Sequence, residues 1–110
     1  MDIRHLRSFV TVAENLHFSR SAEQLGLSPP TLTAQIQEVE RLLQARLFNR
    51  TKRSVSLTPA GEAFLTEARA TLDQLDRAIH VGRRAGRGQV GRVEIGYVGS
   101  AAFFGVLQDQ

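Results

Sequence analysis

The sequence of 110 residues contains no cysteine, only three prolines, and no apolar run that approaches the length of a membrane span. Without cysteine, neither a disulfide framework nor thiolate ligation of a metal is available. Met1 is followed by Asp2, not by the basic and apolar segments of a secretory signal. We therefore expect a soluble cytoplasmic protein without a membrane partner.

Acidic residues are absent between positions 41 and 53, although the whole chain has 11 Asp and Glu against 14 Lys and Arg. The basic residues of this stretch are Arg41, Arg46, Arg50, Lys52 and Arg53. A second basic run consists of Arg83, Arg84, Arg87 and Arg92. Charge runs are usually only solvated faces, but a basic stripe beside a helix that can enter a DNA groove favours phosphate contact.

Residues 19–44 have the pattern of two helices joined by a tight turn. Ser19 is a suitable N-cap for the first helix, and Gly26 stands where a left-handed C-terminal cap is needed. Leu27 can fill the corner between the helices. Ser28 is a suitable cap for the second helix, with Pro29 at its first position, where the missing N–H has no intrahelical partner. The pattern predicts a helix-turn-helix unit, which is by itself a weak indication of function.

The second helix, 29–44, has an apolar edge and a polar face. The apolar edge, with a spacing of four, three and four residues, consists of Leu32, Ile36, Val39 and Leu43. The opposite face consists of Pro30, Thr33, Ala34, Gln37 and Arg41. Short polar side chains on the first turns of a helix that is buried on one side suit entry into the major groove of DNA.

The flanking segments complete a small winged domain over residues 1–58. An amphipathic helix is expected over residues 3–15, and two short strands over residues 47–57 form a hairpin whose tip, 51–54, is basic. His5 and His17 stand apart from other ligand types, so we expect surface or capping roles for them. The hairpin tip either reaches phosphates or the minor groove, or only caps the core.

A long helix is expected after Thr58 and Pro59, which are a good cap and first residue. It extends to about Val81, within a linker segment of residues 59–82, and at about 1.5 Å per residue it spans roughly 35 Å. Its narrow apolar seam consists of Leu65, Ala68, Leu72, Leu75 and Ile79. Because the helix is longer than so small a domain covers, the seam is expected to pair with a second copy; the alternative is that it lies wholly on its own domain.

The last part of the chain is expected to begin another domain. Residues 83–91 are rich in glycine and arginine and indicate a hinge, and their G-x-G-x-x-G spacing follows a helix instead of a strand, which excludes a nucleotide site. Residues 93–98 predict a strand and 101–107 a helix, so 92–110 is similar to the first strand-helix unit of a truncated α/β domain. We expect an exposed edge strand here to pair with a second copy or to remain poorly ordered.

With these motifs in view, the chain resembles the LysR-type transcriptional regulators over its whole length. The matching segments are 3–10, the helix-turn-helix, 47–51, 57–61 and 88–96. The resemblance implies a mainly α fold: a winged helix-turn-helix with a two-stranded wing, a long dimerising linker helix and a short strand-helix tail. It also implies double-stranded DNA as a partner, homodimers through the linker, tetramers in the full-length form, a small-molecule inducer bound by a C-terminal domain, and a nucleoid-associated location.

The resemblance also implies a set of DNA-binding residues. Two positions depart from the family pattern, since Pro29 stands where Gln is common and Ala34 where Arg is common. Among the others, Pro30, Thr33 and Gln35 match positions at or near the groove, and Arg53 matches the residue that enters the minor groove. The full predicted set is Ser19, Arg20, Ser28, Pro29, Pro30, Thr31, Thr33, Ala34, Gln35, Gln37, Arg41, Arg50, Lys52 and Arg53.

Two other classes of function compete with DNA binding. An enzyme is not expected, because the sequence offers no nucleophile-base set, metal cluster or close carboxylate pair, and no cofactor is implied. A dimerising interaction module without DNA binding remains as the alternative, weakly favoured by the missing long side chains at 29 and 34. A steep loss of DNA affinity with salt distinguishes a DNA-binding protein from such a module.

Overall fold

A computed structural model describes residues 1–88, which form four helices and one hairpin. In chain order the elements are α1 (Ile3–Asn15), α2 (Phe18–Leu25), α3 (Pro29–Leu43), β1 (Phe48–Arg50), β2 (Val55–Leu57) and α4 (Pro59–Gly86). One compact unit comprises Met1–Asp73, and a second begins at Gln74. The expected mainly α winged fold is confirmed; the strand expected over 93–98 and the helix over 101–107 lie outside the described residues.

Helix α1 has the bounds that the sequence predicts, and a reciprocal cap fixes its start. The Asp2 carboxylate accepts hydrogen bonds from the N–H groups of Arg4 and His5, at 2.9 and 3.4 Å. In return His5 Nδ1 accepts from the N–H of Asp2 at 3.2 Å. The Arg4 guanidinium, which donates to the Asp2 carboxylate, holds the pKa of Asp2 well below its usual range. The capping role expected for His5 is thereby confirmed.

The core of the first unit is drawn from the four helices and from β1 with the residue before it. Its buried side chains are Phe9, Val12, Ala13, Phe18, Ala22, Leu32, Ile36, Val39, Leu47, Phe48, Leu65 and Ala68. Four aromatic rings form a continuous series through it, with Phe64 on Phe9 at 5.0 Å, Phe9 on Phe48 at 5.5 Å and Phe48 on Phe18 at 5.7 Å between centroids. Tilted and edge-on pairs of this kind are favourable beyond the area they bury. The series links α4, α1, β1 and α2.

The hairpin is shorter than expected, and one side chain of the apolar edge of α3 is exposed. Strands β1 and β2 have three residues each and pair antiparallel, with Phe48 opposite Leu57 and Arg50 opposite Val55. Leu47 is buried but precedes the strand. Leu43, expected in the core, is 38% exposed because it is the last residue of α3, beyond the turns that face α1 and α2.

The start of α4 packs tightly on the segment before the wing. Thr58 Oγ1 accepts from the N–H of Gly61 at 2.9 Å and donates to the carbonyl of Arg46 at 2.6 Å, which confirms Thr58 as the cap. A Cβ on Gly61 would lie 2.1 Å from the Leu47 carbonyl oxygen. Only glycine allows the helix and this backbone to approach so closely.

Helix α4 is longer than the sequence predicts. We expected it to end near Val81 and a hinge to occupy 83–91, but the helix continues to Gly86. A single glycine such as Gly82 costs a helix only about 1 kcal/mol, and arginine and alanine are good helix formers. Arg83 and Arg84 also lie in the last turn, where the helix dipole favours positive charge. Glycine content was therefore a poor guide to the end of this helix.

Candidate nucleic-acid interface

Each end of the helix-turn-helix is fixed by a local cap. Gly26 adopts the left-handed conformation at φ 70°, as expected, and ends α2. The Ser28 hydroxyl accepts from the N–H of Thr31 at 3.3 Å and begins α3. The prediction that Ser19 caps α2 is wrong: the cap lies two residues earlier, at His17, whose Nδ1 accepts from the N–H of Arg20 at 2.9 Å. An imidazole nitrogen serves as the cap because it reaches the N–H of the third residue of the helix.

The first turns of α3 present short, uncharged groups to solvent. The exposed residues among the predicted contacts here are Ser28, Pro29, Pro30, Thr31, Ala34 and Gln37. Thr33 is half-buried on the same stretch. The helix is held from its other side by Leu32, Ile36 and Val39, which are almost completely buried. The face expected to enter the groove is thus exposed to solvent.

Gln35 is a predicted groove residue that the fold uses internally. Its Oε1 accepts a hydrogen bond from the hydroxyl of Ser8, which is 2% exposed on α1. A buried hydroxyl needs a partner, and the glutamine supplies it. The bond ties α3 to α1, so Gln35 supports the helix that carries the open face.

Arg41, the basic end of this face, is paired within its own helix. Its Nη2 and Nε atoms lie 2.6 and 3.0 Å from the two oxygens of Glu38. The Arg41 guanidinium holds the pKa of the Glu38 carboxyl below its ordinary value. The carboxylate of this i, i+3 pair offsets the positive charge of Arg41, which we expected to contact phosphate.

The tip of the wing carries two basic side chains that have no partner among residues 1–88. Thr51 Oγ1 accepts from the N–H groups of Arg53 and Ser54 at 3.2 and 3.0 Å, and the N–H of Thr51 donates to the Ser54 carbonyl at 2.9 Å. Lys52 and Arg53 are exposed, and neither side chain forms an ion pair or hydrogen bond within residues 1–88. The backbone of the tip is ordered by Thr51, and its charges remain available.

The start of α2 lies between the wing and the start of α3. One cleft is lined by His17, Ser19, Arg20 and Pro29, among others. A second is lined by His17, Ser19, Lys52 and Arg53, among others. The predicted contact residues of three elements therefore border one continuous region of the surface. His17 lines both clefts but is not among the predicted DNA-binding residues. Its position just before the apolar first residue of a helix could have indicated that it lies at this surface.

Two further basic residues of the 41–53 stretch have partners in the fold. Arg46 Nε lies 3.5 Å from Glu40 Oε2, whose carboxylate also accepts from the N–H of Leu47 at 2.8 Å. The Arg50 guanidinium lies over the Phe18 ring, 3.7 Å from its centroid. Of the five basic residues that suggested a phosphate-binding stripe, three are engaged by neighbouring side chains.

The seam of α4 divides between the core and the surface. In the first unit, Leu65 and Ala68 are buried in the winged domain, so they are not available to a second copy as we expected, while Leu72 is half-buried. In the second unit Leu75 is half-buried and Ile79 is 41% exposed. The helix covers its own domain with its first turns, and only the later apolar side chains remain for a partner.

No metal-binding cluster is present among residues 1–88, where no three His, Asp or Glu side chains converge. Over the same residues, no helix is long and apolar enough to cross a membrane.

The described elements form a winged helix-turn-helix domain. Two of its four helices are the helix-turn-helix with an open polar face, and its two-stranded hairpin has a basic tip. Residues 3–62 match the family model of the bacterial regulatory helix-turn-helix proteins, lysR family. The chain belongs to the LysR family, as the resemblance in its sequence implied.

Curated relatives agree along nearly the full chain. The HTH-type transcriptional regulator YnfL of Escherichia coli K12, itself uncharacterised, is 45% identical over 99% of this chain and 37% of its own length. The HTH-type transcriptional regulator AlsR of Bacillus subtilis 168 is 44% identical over 94% of this chain and 34% of its own length. The chain thus spans little more than a third of these relatives.

Solved structures of the same family have the same fold. The DNA-binding domain of BenM, in complex with DNA of catB site 1, is 36% identical with a TM-score of 0.76, covering 78% of this chain and 97% of that one. The LysR family transcriptional regulator CbnR is 39% identical with a TM-score of 0.76, covering 80% of this chain and 30% of that one.

Proposed function

We propose that the protein is a sequence-specific DNA-binding transcriptional regulator. In this proposal the open face of α3 reads the major groove, and the wing tip contacts the minor groove or the flanking phosphates. Ser19 and Arg20 are both exposed at the start of α2, and in this proposal they contact the DNA backbone between the two grooves.

The observation that carries the proposal is the shared surface of the three elements. The start of α2 lines one cleft with Pro29 of α3 and another with Lys52 and Arg53 of the wing. Short side chains that approach base edges therefore lie beside unpaired cations that attract phosphate. The BenM domain, which has this fold, is in a complex with DNA, and that supports the same use of the surface here.

The test is selection of a preferred duplex from random DNA, followed by salt titrations on that duplex and on a scrambled one. A DNA-binding regulator prefers the selected duplex, and its affinity for both falls steeply as salt rises. The alternative function, a dimerising module without DNA binding, predicts no binding to either duplex. Equal affinity for both duplexes would contradict sequence recognition while leaving DNA binding intact.

We also propose that two copies pair through the later part of α4. Leu72 and Leu75 are half-buried, and Ile79 is 41% exposed. Side chains of this size are favourable to bury between two parallel or antiparallel helices. The expected linker segment is 59–82, and the longer helix extends the surface available to the partner.

Charge placed on the seam tests this pairing. Leu72→Glu with Leu75→Glu should bury like charges and convert the dimer to a monomer, as measured by sedimentation velocity. The control is Ala70→Glu with Gln74→Glu, which adds similar charge on the opposite side of the same turns. A dimer that survives the first pair of changes would refute the proposed interface.

The remaining functions concern parts of the protein beyond the described residues. We propose tetramers in the full-length form, and a small-molecule inducer bound by a C-terminal α/β domain of which 92–110 is the start. We propose a cytoplasmic, nucleoid-associated location and no catalytic activity, in keeping with relatives that are named transcriptional regulators.

A further inference from the structure

Arg50 is the most unusual of the basic residues on the candidate interface, because its charge lies on an aromatic ring. The guanidinium carbon is 3.7 Å from the centroid of Phe18, well within the distance at which a cation is attracted by a ring face. The side chain forms no ion pair and no hydrogen bond within residues 1–88. Phe18 is therefore its defined partner in the described part of the chain.

The ring that Arg50 covers is also held by the core. Phe18 is the first residue of α2 and is 8% exposed, and Phe48 packs edge-on against it at an angle of 72°. Phe48 and Arg50 are two residues apart on β1, so they lie on the same face of the strand. One face of β1 thus contacts the Phe18 ring twice, through the buried Phe48 and through the exposed Arg50.

The contact of Arg50 with Phe18 lies where the paired part of the wing ends and its turn begins. Arg50 is the last residue of β1, opposite Val55, which is half-buried. The next residues, 51–54, form the exposed turn that carries Lys52 and Arg53. The position of the basic tip relative to α2 therefore depends on how firmly the Arg50–Val55 pair is held against the domain.

We propose that Arg50 is a positioning residue, which stacks on Phe18 to hold the wing against the start of α2 and so places Lys52 and Arg53 for DNA. This inference rests on the proposed DNA-binding function and revises the part that Arg50 has in it. A stacked guanidinium still has N–H groups at its edge, so the competing role is direct contact with a phosphate. The two roles predict different salt dependence.

The experiment compares Arg50→Met with Arg53→Ala in salt titrations of binding to a selected duplex. Methionine keeps the length and apolar stem of Arg50 but removes the cation. Without the stacking the tip still reaches the same phosphates when bound, but it must be ordered first. Binding should therefore weaken about three- to tenfold, while the slope of log affinity against log salt changes by less than about half a unit per subunit. Arg53→Ala should lower the same slope by about one unit per subunit.

A second variant identifies the ring as the partner and guards against a folding defect. Phe18→Leu fills the core but removes the π-face, so it should weaken binding as much as Arg50→Met, and the double variant should be no weaker than either one. Amide relaxation of residues 51–54 should show faster motion in both single variants, which a defect elsewhere in the domain would not produce. Thermal unfolding of each variant establishes that it is folded under the conditions of the titration.

The results that would overturn the inference are distinct from those that would overturn the function. A full unit lost from the salt slope in Arg50→Met, together with normal affinity in Phe18→Leu, would make Arg50 a phosphate contact, and DNA binding would stand. Failure of the unsubstituted protein to bind any duplex would instead remove the proposed function itself.

Discussion

The recognition helix and the wing lie on the same candidate interface, but the domain holds them in different ways. Helix α3 buries Leu32, Ile36 and Val39 almost completely and is tied to α1 by the Gln35–Ser8 hydrogen bond. The wing consists of two three-residue strands, and both Val55 and Leu57 on its return strand are only half-buried.

The difference shows how affinity and selectivity can be divided between two elements of one surface. A helix held by three core side chains presents its outer groups in a fixed geometry, which base-specific contacts require. A short hairpin relies on contacts at its base and on Arg50, and it contributes free positive charge, which attracts any duplex. We therefore expect changes in the wing and in α3 to have separable effects.

The largest expected effect comes from Gly61, which supports the base of the wing. A Cβ here would lie 2.1 Å from the Leu47 carbonyl oxygen and 2.9 Å from a methyl of Leu57, so backbone must move to accept it. Gly61→Ala should lower the free energy of unfolding by about 2–3 kcal/mol, measured by urea denaturation. Gly82→Ala is the control: nothing lies within 4 Å of that Cβ, and the change should raise stability by about 0.5–1 kcal/mol. Equal stability of the two variants would show that the wing base tolerates displacement.

Arg53 provides the next largest effect and tests the wing as a source of affinity. Its side chain is exposed at the tip and unpaired within residues 1–88. Arg53→Ala should weaken binding to selected and scrambled duplexes alike, by about 1–2 kcal/mol, and lower the salt slope by about one unit per subunit. Thr51→Val is a structural comparison, since it removes the hydroxyl that orders the tip without changing charge. An unchanged slope in Arg53→Ala would show that the wing only covers the core and does not contact DNA phosphates.

Thr33 tests α3 as the source of selectivity, with a smaller effect. It is half-buried in the second turn of α3, and its hydroxyl and methyl groups are both suited to a base edge. Thr33→Ala should weaken binding to the selected duplex by about 1 kcal/mol and change binding to scrambled DNA little, so that the difference between them narrows. If both duplexes are weakened equally, the face assigned from the Ser28 cap is not the one that reads bases.

Local signals in the sequence predicted the elements, but not the partners of the long side chains. Gly26, Ser28 and Thr58 set helix ends through their own backbone preferences, and those positions were predicted correctly. The Ser8–Gln35 hydrogen bond joins residues 27 apart in sequence, and the Arg50–Phe18 stack joins two different elements. Such contacts depend on packing, which periodicity does not describe, so the sequence does not predict that Arg41, Arg46 and Arg50 are engaged within the fold.

The smallest effect is expected at Glu38. It tests whether the ion pair with Glu38 keeps Arg41 of α3 from contacting DNA. The Glu38 carboxylate binds Arg41 through two hydrogen bonds, at 2.6 and 3.0 Å, on the exposed side of the helix. Glu38→Gln removes the negative charge and releases the guanidinium, so affinity for any duplex should rise about twofold and the salt slope by up to about one unit per subunit.

The pH dependence of this effect has a defined sign. Arg41 lowers the pKa of Glu38 below its ordinary value of 4.5, so the carboxylate stays ionised from pH 6 to 8, and the advantage of Glu38→Gln should be constant over that range. The stabilisation that the ionised pair gives the fold is present above the unfolded pKa and is lost only as pH falls through the lower, folded pKa. Binding by the unsubstituted protein should therefore approach that of the variant only under strongly acidic conditions, measured at constant ionic strength. A slope and affinity that Glu38→Gln leaves unchanged would mean that Arg41 does not reach a phosphate even when released, and that α3 contributes selectivity alone.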